Sequence, residues 1–294
     1  MTADSGFTDL YYSATDGLKL HAAVYGEGLR HTTPVVCLPG LSRNARDFHE
    51  LALYLSRREE RPRKVVVFDY RGRGLSAYDR AWKNYNVVVE ADDVVAGLVA
   101  AGVEKGHFIG TSRGGLIIHR LGSVRPTAIR SVVLNDIGPA IEGEGLAQIR
   151  SYLEQAPKPR DMAEAVAIQK AAHGAAFPAL SDADWTRFAD AIYREQKGRP
   201  VADFDPALLK VVKGFDLDKP IPVIWHLFEA LRGMPMLVVR GGNSKLLSAA
   251  TLAEMANRHP DCQTITVEGQ GHPPMLETGD LPQALAAFFD KAEA

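Results

Sequence analysis

Along most of this chain, short runs of wholly apolar residues alternate with longer amphipathic stretches. Val35–Leu38, residues 64–68, 107–109 and 131–134 lack the polar-apolar alternation of a strand with one wet face. Such runs predict strands buried on both faces, hence a mostly parallel sheet with helices on each side. Between them, residues 48–57, 87–101 and 114–124 carry apolar side chains at helical spacing, with lengths suited to crossover connections. At the start, residues 7–13 and 19–25 read as strands flanking Asp16-Gly17, a dipeptide that tolerates the positive φ of a tight hairpin turn.

From Pro139 to Leu231 the strand pattern stops and helical segments broken by proline and glycine take over. One of them opens on Ser181-Asp182-Ala183-Asp184, a hydroxyl at the N-cap with acids in the first turn, and places Trp185, Phe188 and Ile192 on one face. The sheet pattern resumes at residues 236–239 and 264–267, with a helix over 248–258 between them and a closing helix over 281–292. This predicts an α/β core formed by residues 1–138 and 232–294, interrupted by an inserted helical cap over 139–231.

Composition narrows the function classes. The 294 residues are 46% hydrophobic and 24% charged, ordinary for a globular chain with a large core. A net charge of −2, from 34 basic and 36 acidic residues, gives no excess with which to hold a phosphate backbone or an anionic membrane. The expected partner is a small-molecule substrate, with neither nucleic acid nor membrane. Two cysteines, Cys37 and Cys262, cannot build a disulfide framework. Residues 1–6 resemble no secretory signal, and no apolar stretch reaches the roughly 18–20 residues of a membrane span. A cytoplasmic location is the expectation.

The main chemical signal is Gly110-Thr111-Ser112-Arg113-Gly114, placed between a predicted strand and a predicted helix. A serine on so sharp a turn needs small residues two before and two after it, and its hydroxyl then projects above the sheet edge. Taken alone, the segment reads equally well as a glycine-rich strand-to-helix turn. A nucleophile needs a base, and His272, in Gly271-His272-Pro273 directly after the last predicted strand, is placed to reach it. Two backbone N–H groups could hold an oxyanion: that of Arg113, opening the helix, and that of Leu41, in Pro39-Gly40-Leu41 after the strand at 35–38. No metal-ligand spacing and no phosphate-binding glycine loop is present, so neither metal nor cofactor is expected.

In this order, Leu38-Pro39-Gly40-Leu41, Asp69-Tyr70-Arg71-Gly72-Arg73-Gly74, the turn around Ser112, Arg240-Gly241-Gly242-Asn243-Ser244 and Gly271-His272 resemble the α/β-hydrolase fold superfamily with a helical cap. The resemblance spans essentially the whole chain and implies a cofactor-free serine hydrolase acting on a small or medium apolar carboxylic ester. Carbon–carbon bond hydrolysis of a diketone-like substrate is an alternative chemistry for the same residues. The chain departs from the family in carrying Lys245 where the carboxylate partner of the histidine is expected. An ammonium cannot accept the histidine Nδ1–H. Asp136, ending the neighbouring strand in Asn135-Asp136-Ile137-Gly138, is the candidate replacement, although an Asp in that turn has a capping role open to it. If no carboxylate serves, a ligand-binding protein with a degraded triad is the remaining reading. Asp69, Arg71 and Arg73 are expected to fix their loop, and Trp185, Phe188, Trp225 and Phe228 mostly to pack cap against core.

Overall fold

In the computed structural model, which describes residues 6–155, 157–214 and 219–294, the chain builds one eight-stranded sheet. Residues 1–5, on which the reading of the N-terminus rested, lie outside the described residues. The strands are β1 (Thr8–Ser13), β2 (Lys19–Tyr25), β3 (Val35–Leu38), β4 (Val65–Asp69), β5 (Gly106–Thr111) and β6 (Ile129–Asn135), joined later by β9 (Met236–Gly241) and β10 (Cys262–Val267). Their order is β1-β2-β4-β3-β5-β6-β9-β10. β1 and β2 pair antiparallel with each other, as do β2 and β4, and every pairing from β4 to β10 is parallel.

The uninterrupted apolar runs have a direct reason, because successive strand residues face opposite sides and both sides are covered. Val36, Leu38, Val66 and Phe68 pack with Val94 and Leu98 of α2 (Val87–Ala100) and Ile117 and Leu121 of α3 (Arg113–Val124). Val35, Cys37, Val65 and Val67 pack the other way, onto Leu51 and Leu55 of α1 (His49–Arg57) and Leu285 and Phe289 of α10 (Leu281–Glu293). Each such side chain, fully buried, contributes about 1.5–3 kcal/mol. A polar residue at either register of these strands would therefore be costly. α9 (Ala249–Arg258) completes the crossover between β9 and β10.

Between β6 and β9 lie α4 (Gly143–Gln155), α5 (Met162–His173), α6 (Asp182–Ile192), α7 (Leu209–Lys213) and α8 (Trp225–Glu229). Ser181 caps α6 in a reciprocal box with Asp184. The segment is not purely helical. Tyr193–Gln196 (β7) and Arg199–Ala202 (β8) form a two-stranded antiparallel hairpin, separate from the main sheet, turning at Lys197 and Gly198 with φ of 53° and 76°. Two successive positive φ values are those of a type I′ turn, which matches the twist of a hairpin. The segment adds no strand to the large sheet among the described residues, and no helix among them is long and apolar enough to cross a membrane.

Candidate active site

Parallel register places the ends of β5, β6, β9 and β10 at one sheet edge: Thr111 lies opposite Asn135, Asn135 opposite Val239, and Gly241 opposite Val267. Ser112 follows β5 and Asp136 follows β6, so their backbones are next-door neighbours. The Ser112 N–H donates to the Asn135 carbonyl (3.0 Å), and the Asp136 N–H to that of Val239 (2.7 Å). Both residues leave their strands with positive φ, 49° at Ser112 and 53° at Asp136. Backbone of this kind costs about 1–3 kcal/mol per residue and persists where its surroundings over-determine it.

Close packing enforces the turn at Ser112. A Cβ on Gly114 would lie 2.0 Å from the Leu38 carbonyl oxygen, and one on Gly110 would lie 2.5 Å from the Gly115 nitrogen. Only glycine fits at either place, and the fit presses the start of α3 against the end of β3. The Pro39-Gly40-Leu41 turn is thereby held beside the serine.

His272 stands on the loop after β10. Its Nε2 is 3.0 Å from Ser112 Oγ, and its Nδ1 is 2.7 Å from Asp136 Oδ2. Asp136 is fully buried and accepts two further bonds, from the Gly241 N–H to Oδ1 (2.8 Å) and from Ser244 Oγ to Oδ2 (2.5 Å). The loop after β9 thus supplies donors to the carboxylate rather than the carboxylate itself. Lys245, in the place where an acid was expected, is 56% exposed, lies 3.6 Å from Glu144 Oε1 and makes no hydrogen bond to the histidine among the described residues. Asn135 locks the histidine loop to the serine strand by donating Nδ2 to Thr111 Oγ1 (3.1 Å) and to the Pro274 carbonyl (3.0 Å).

Leu41 and Arg113 both line the cavity that Ser112 faces. The Arg113 side chain is drawn to a buried glutamate, its Nε donating to Glu90 Oε2 (2.7 Å), while its backbone opens α3. Arg73 donates Nε to the Leu41 carbonyl (2.8 Å) and Nη1 to the other oxygen of the buried Glu90 (2.9 Å). One buried glutamate therefore ties together, through two arginines, both segments expected to hold an oxyanion. Arg71 is held by Asp93, Asp16 and Asp79, so the charges after β4 do fix their loop.

The cavity has a volume of about 1530 Å³ and lies between this sheet edge and residues from 141 to 222 of the inserted segment. Of the four aromatic residues expected mostly to pack cap against core, Trp185 and Phe228 are buried and Trp225 stands edge-on to Phe228, whereas Phe188 lines the cavity. Pattern reading missed Arg43, Glu277 and His173, all of which line it. His173 ends α5 beside the Tyr152 ring, and burial together with the Arg43 charge pulls its pKa down to about 4, so it is neutral near pH 7. Glu277 sits five residues after His272; burial, reinforced by Asp47, pushes its pKa up to about 7. Arg43 and Asp47, four residues apart, form a paired motif whose position at the cavity emerges only in the folded chain.

A family model described as the alpha/beta hydrolase family matches residues 35–288. The chain is 31% identical to the 3-hydroxybutyrate-oligomer hydrolase of Cupriavidus necator, over 87% of this chain and 88% of that protein. It is 31% identical to the 2-(acetamidomethylene)succinate hydrolase of Mesorhizobium japonicum, over 79% of each. The crystal structure of an alpha/beta hydrolase from Novosphingobium aromaticivorans superposes with a TM-score of 0.89 at 34% identity, covering 97% of this chain and 99% of that one. With a matching architecture, a matching family model and relatives named as hydrolases, this chain is a hydrolase belonging to the alpha/beta hydrolase family.

Proposed function

We propose that this hydrolase cleaves carboxylic esters through an acyl-enzyme formed on Ser112. The observation that carries the reading is the unbroken line of hydrogen bonds from Ser112 Oγ through both nitrogens of His272 to Asp136. In the first half-reaction Ser112 Oγ attacks the ester carbonyl carbon as its proton passes to His272 Nε2. The oxygen that becomes negative is received by the N–H groups of Leu41 and Arg113. Collapse breaks the ester C–O bond, and His272 returns the proton to the departing alkoxide. In the second half-reaction His272 takes a proton from water, whose oxygen attacks the acyl carbon, and the Ser112 alkoxide recovers that proton as the acid leaves.

Asp136 accepts the Nδ1–H throughout, which fixes the tautomer that leaves Nε2 free to act as base. The reason for suspecting a degraded triad was Lys245, and the carboxylate of Asp136 at 2.7 Å from His272 Nδ1 supports an intact one. We assign residues 139–231 as a cap over the cavity. The walls contributed by Leu116, Ile141, Leu146, Ile149 and Phe188 suit an apolar acyl chain.

Fluorophosphonate labelling followed by peptide mapping tests the nucleophile. A single adduct on Ser112 is expected, absent in Ser112→Ala. An adduct on another serine, or ester turnover by protein that takes no label, would overturn the assignment.

A further inference from the structure

The cavity wall beside the proposed oxyanion turn carries a charge arrangement that ester cleavage alone does not need. Arg43 stands two residues beyond Leu41. Its Nε donates to both Asp47 oxygens (2.8 Å each) and its Nη2 to Oδ1 (2.5 Å), while Phe188 lies beneath the guanidinium at 4.8 Å. The side chain is 19% exposed, and what it exposes borders the cavity. A guanidinium has five N–H donors in two usable edges. Asp47 takes one edge and, with Phe188, fixes the plane; the other edge, built on Nη1, makes no hydrogen bond among the described residues, with the Glu277 carboxyl near enough to act on its charge. Arg187, on α6 at the same cavity, donates Nη2 to Asp184 and buries an Nε–H that has no partner among the described residues.

We propose that Arg43, with Arg187 lining the same cavity, binds a free carboxylate of the substrate, so that the preferred class is a carboxylic ester that also bears an acid group, such as an oligomer of a short hydroxy acid. The inference rests on the Ser112 reading and deepens it. A rigid guanidinium with an open edge matches the planar, bidentate geometry of a carboxylate. It is already largely removed from water, so little further desolvation opposes binding. The cavity, larger than the 300–1,000 Å³ usual for small-molecule sites, has room for a second acid unit besides the acyl chain. The two relatives described above are named for substrates that carry carboxylates, which agrees with this class.

The test compares the 3-hydroxybutyrate dimer with its terminal primary amide, which keeps the size and the scissile bond but removes the charge. In kcat/KM the wild type is expected to prefer the acid by about 100-fold, mainly through KM. Arg43→Met should bring that preference to within a few-fold of one, and Arg43→Lys, which keeps charge without the fork, should leave an intermediate value. No preference in the wild type, or equal losses on acid and amide in Arg43→Met, would overturn the proposal. Should Arg43→Met fail to fold, the wild-type preference and Arg43→Lys decide it. Binding of acid and amide to Ser112→Ala, measured by calorimetry, reads the carboxylate without any turnover. Tighter binding of the acid by about 100-fold supports the inference even if Ser112 is not the nucleophile, and equal binding refutes it even if Ser112 is.

Discussion

Two histidines in this protein place Nδ1 2.7 Å from an aspartate oxygen, and their surroundings differ in one decisive respect. His272 turns Nε2 toward the Ser112 hydroxyl at the edge of a cavity. His21, on β2, pairs across strands with Asp69 at the end of β4 and turns its Nε2 toward a second carboxylate, Asp9 on β1 (3.1 Å). Asp69 also accepts the N–H groups of Ala45 and Leu75 (2.7 and 3.0 Å), so the His21 cluster fastens the antiparallel corner of the sheet to two loops. Burial lowers the His21 pKa, but hydrogen bonds and charge from Asp69 and Asp9 outweigh it, and the net shift is upward. Two carboxylates favour the charged form of the histidine between them, which serves as a clamp. One between a carboxylate and a hydroxyl keeps a nitrogen that can accept a proton. The His–Asp pair is common to both places, and the partner of the other nitrogen separates the proposed catalytic site from the structural clamp.

The largest test of this contrast lies at the cavity. His272→Ala and Asp136→Asn should each reduce turnover of an activated ester by roughly 10⁴-fold or more, the first by removing the base and the second by favouring the wrong tautomer. Both variants should retain a cooperative thermal transition. Turnover within tenfold of wild type in either folded variant would remove the corresponding residue from the mechanism.

At the other histidine the expected loss is in stability. His21→Ala leaves Asp69 buried without its ion-pair partner, an arrangement that costs about 3 kcal/mol, while the ester turnover of the folded fraction should stay within about threefold of wild type. The sign of the pH dependence follows from the upward shift. A histidine whose folded pKa exceeds its unfolded value of about 6.5 contributes fully below that value and loses the contribution as pH rises through the folded pKa. Denaturant unfolding should therefore show a wider gap between wild type and His21→Ala at pH 6 than at pH 9. A gap that widens with pH would mean that His21 is held neutral, and the contrast with His272 would fail.

The same contrast explains which parts of the molecule are legible in the sequence. Strands buried on both faces announce themselves as apolar runs, and β3, β4, β6 and β9 fall where those runs lie. The β7–β8 hairpin escapes that reading because Tyr193-Arg194-Glu195-Gln196 is mostly polar and Arg199-Pro200-Val201-Ala202 is short and carries a proline, with Lys197-Gly198 their one turn signal. Ser112 and His272 stand out through local constraints, the glycines that the turn needs and the loop after the last strand. Asp136 is named as the candidate acid with a capping role left open beside it, because its approach to His272 depends on the register between β6 and β9. Arg43, Glu277 and His173 come from a loop after β3, the histidine loop and α5, and converge only through tertiary packing. No local pattern marks residues of that kind.

The smallest effect, and the sharpest on the acid's location, is expected at Lys245. Family resemblance places a carboxylate here, and the structure instead places an exposed ammonium near Glu144, with its neighbour Ser244 donating to Asp136. If Asp136 alone orients His272, Lys245→Asp exchanges one exposed charge for another and turnover should change by no more than about twofold, since surface charges of this kind are weakly coupled to their surroundings. If the triad were broken for want of an acid at 245, the same substitution should raise turnover by orders of magnitude, and adding it to Asp136→Asn should rescue that variant. The double variant makes the measurement decisive in both directions. With Asp136 as the partner of Nδ1, Asp136→Asn/Lys245→Asp should remain as impaired as Asp136→Asn, because an aspartate at 245 would have to swing in from the surface to reach a histidine whose Nδ1 already faces residue 136. Recovery to within tenfold of wild type would show that the loop after β9 can deliver the acid, and the orienting role would then belong to either strand end rather than to Asp136 in particular.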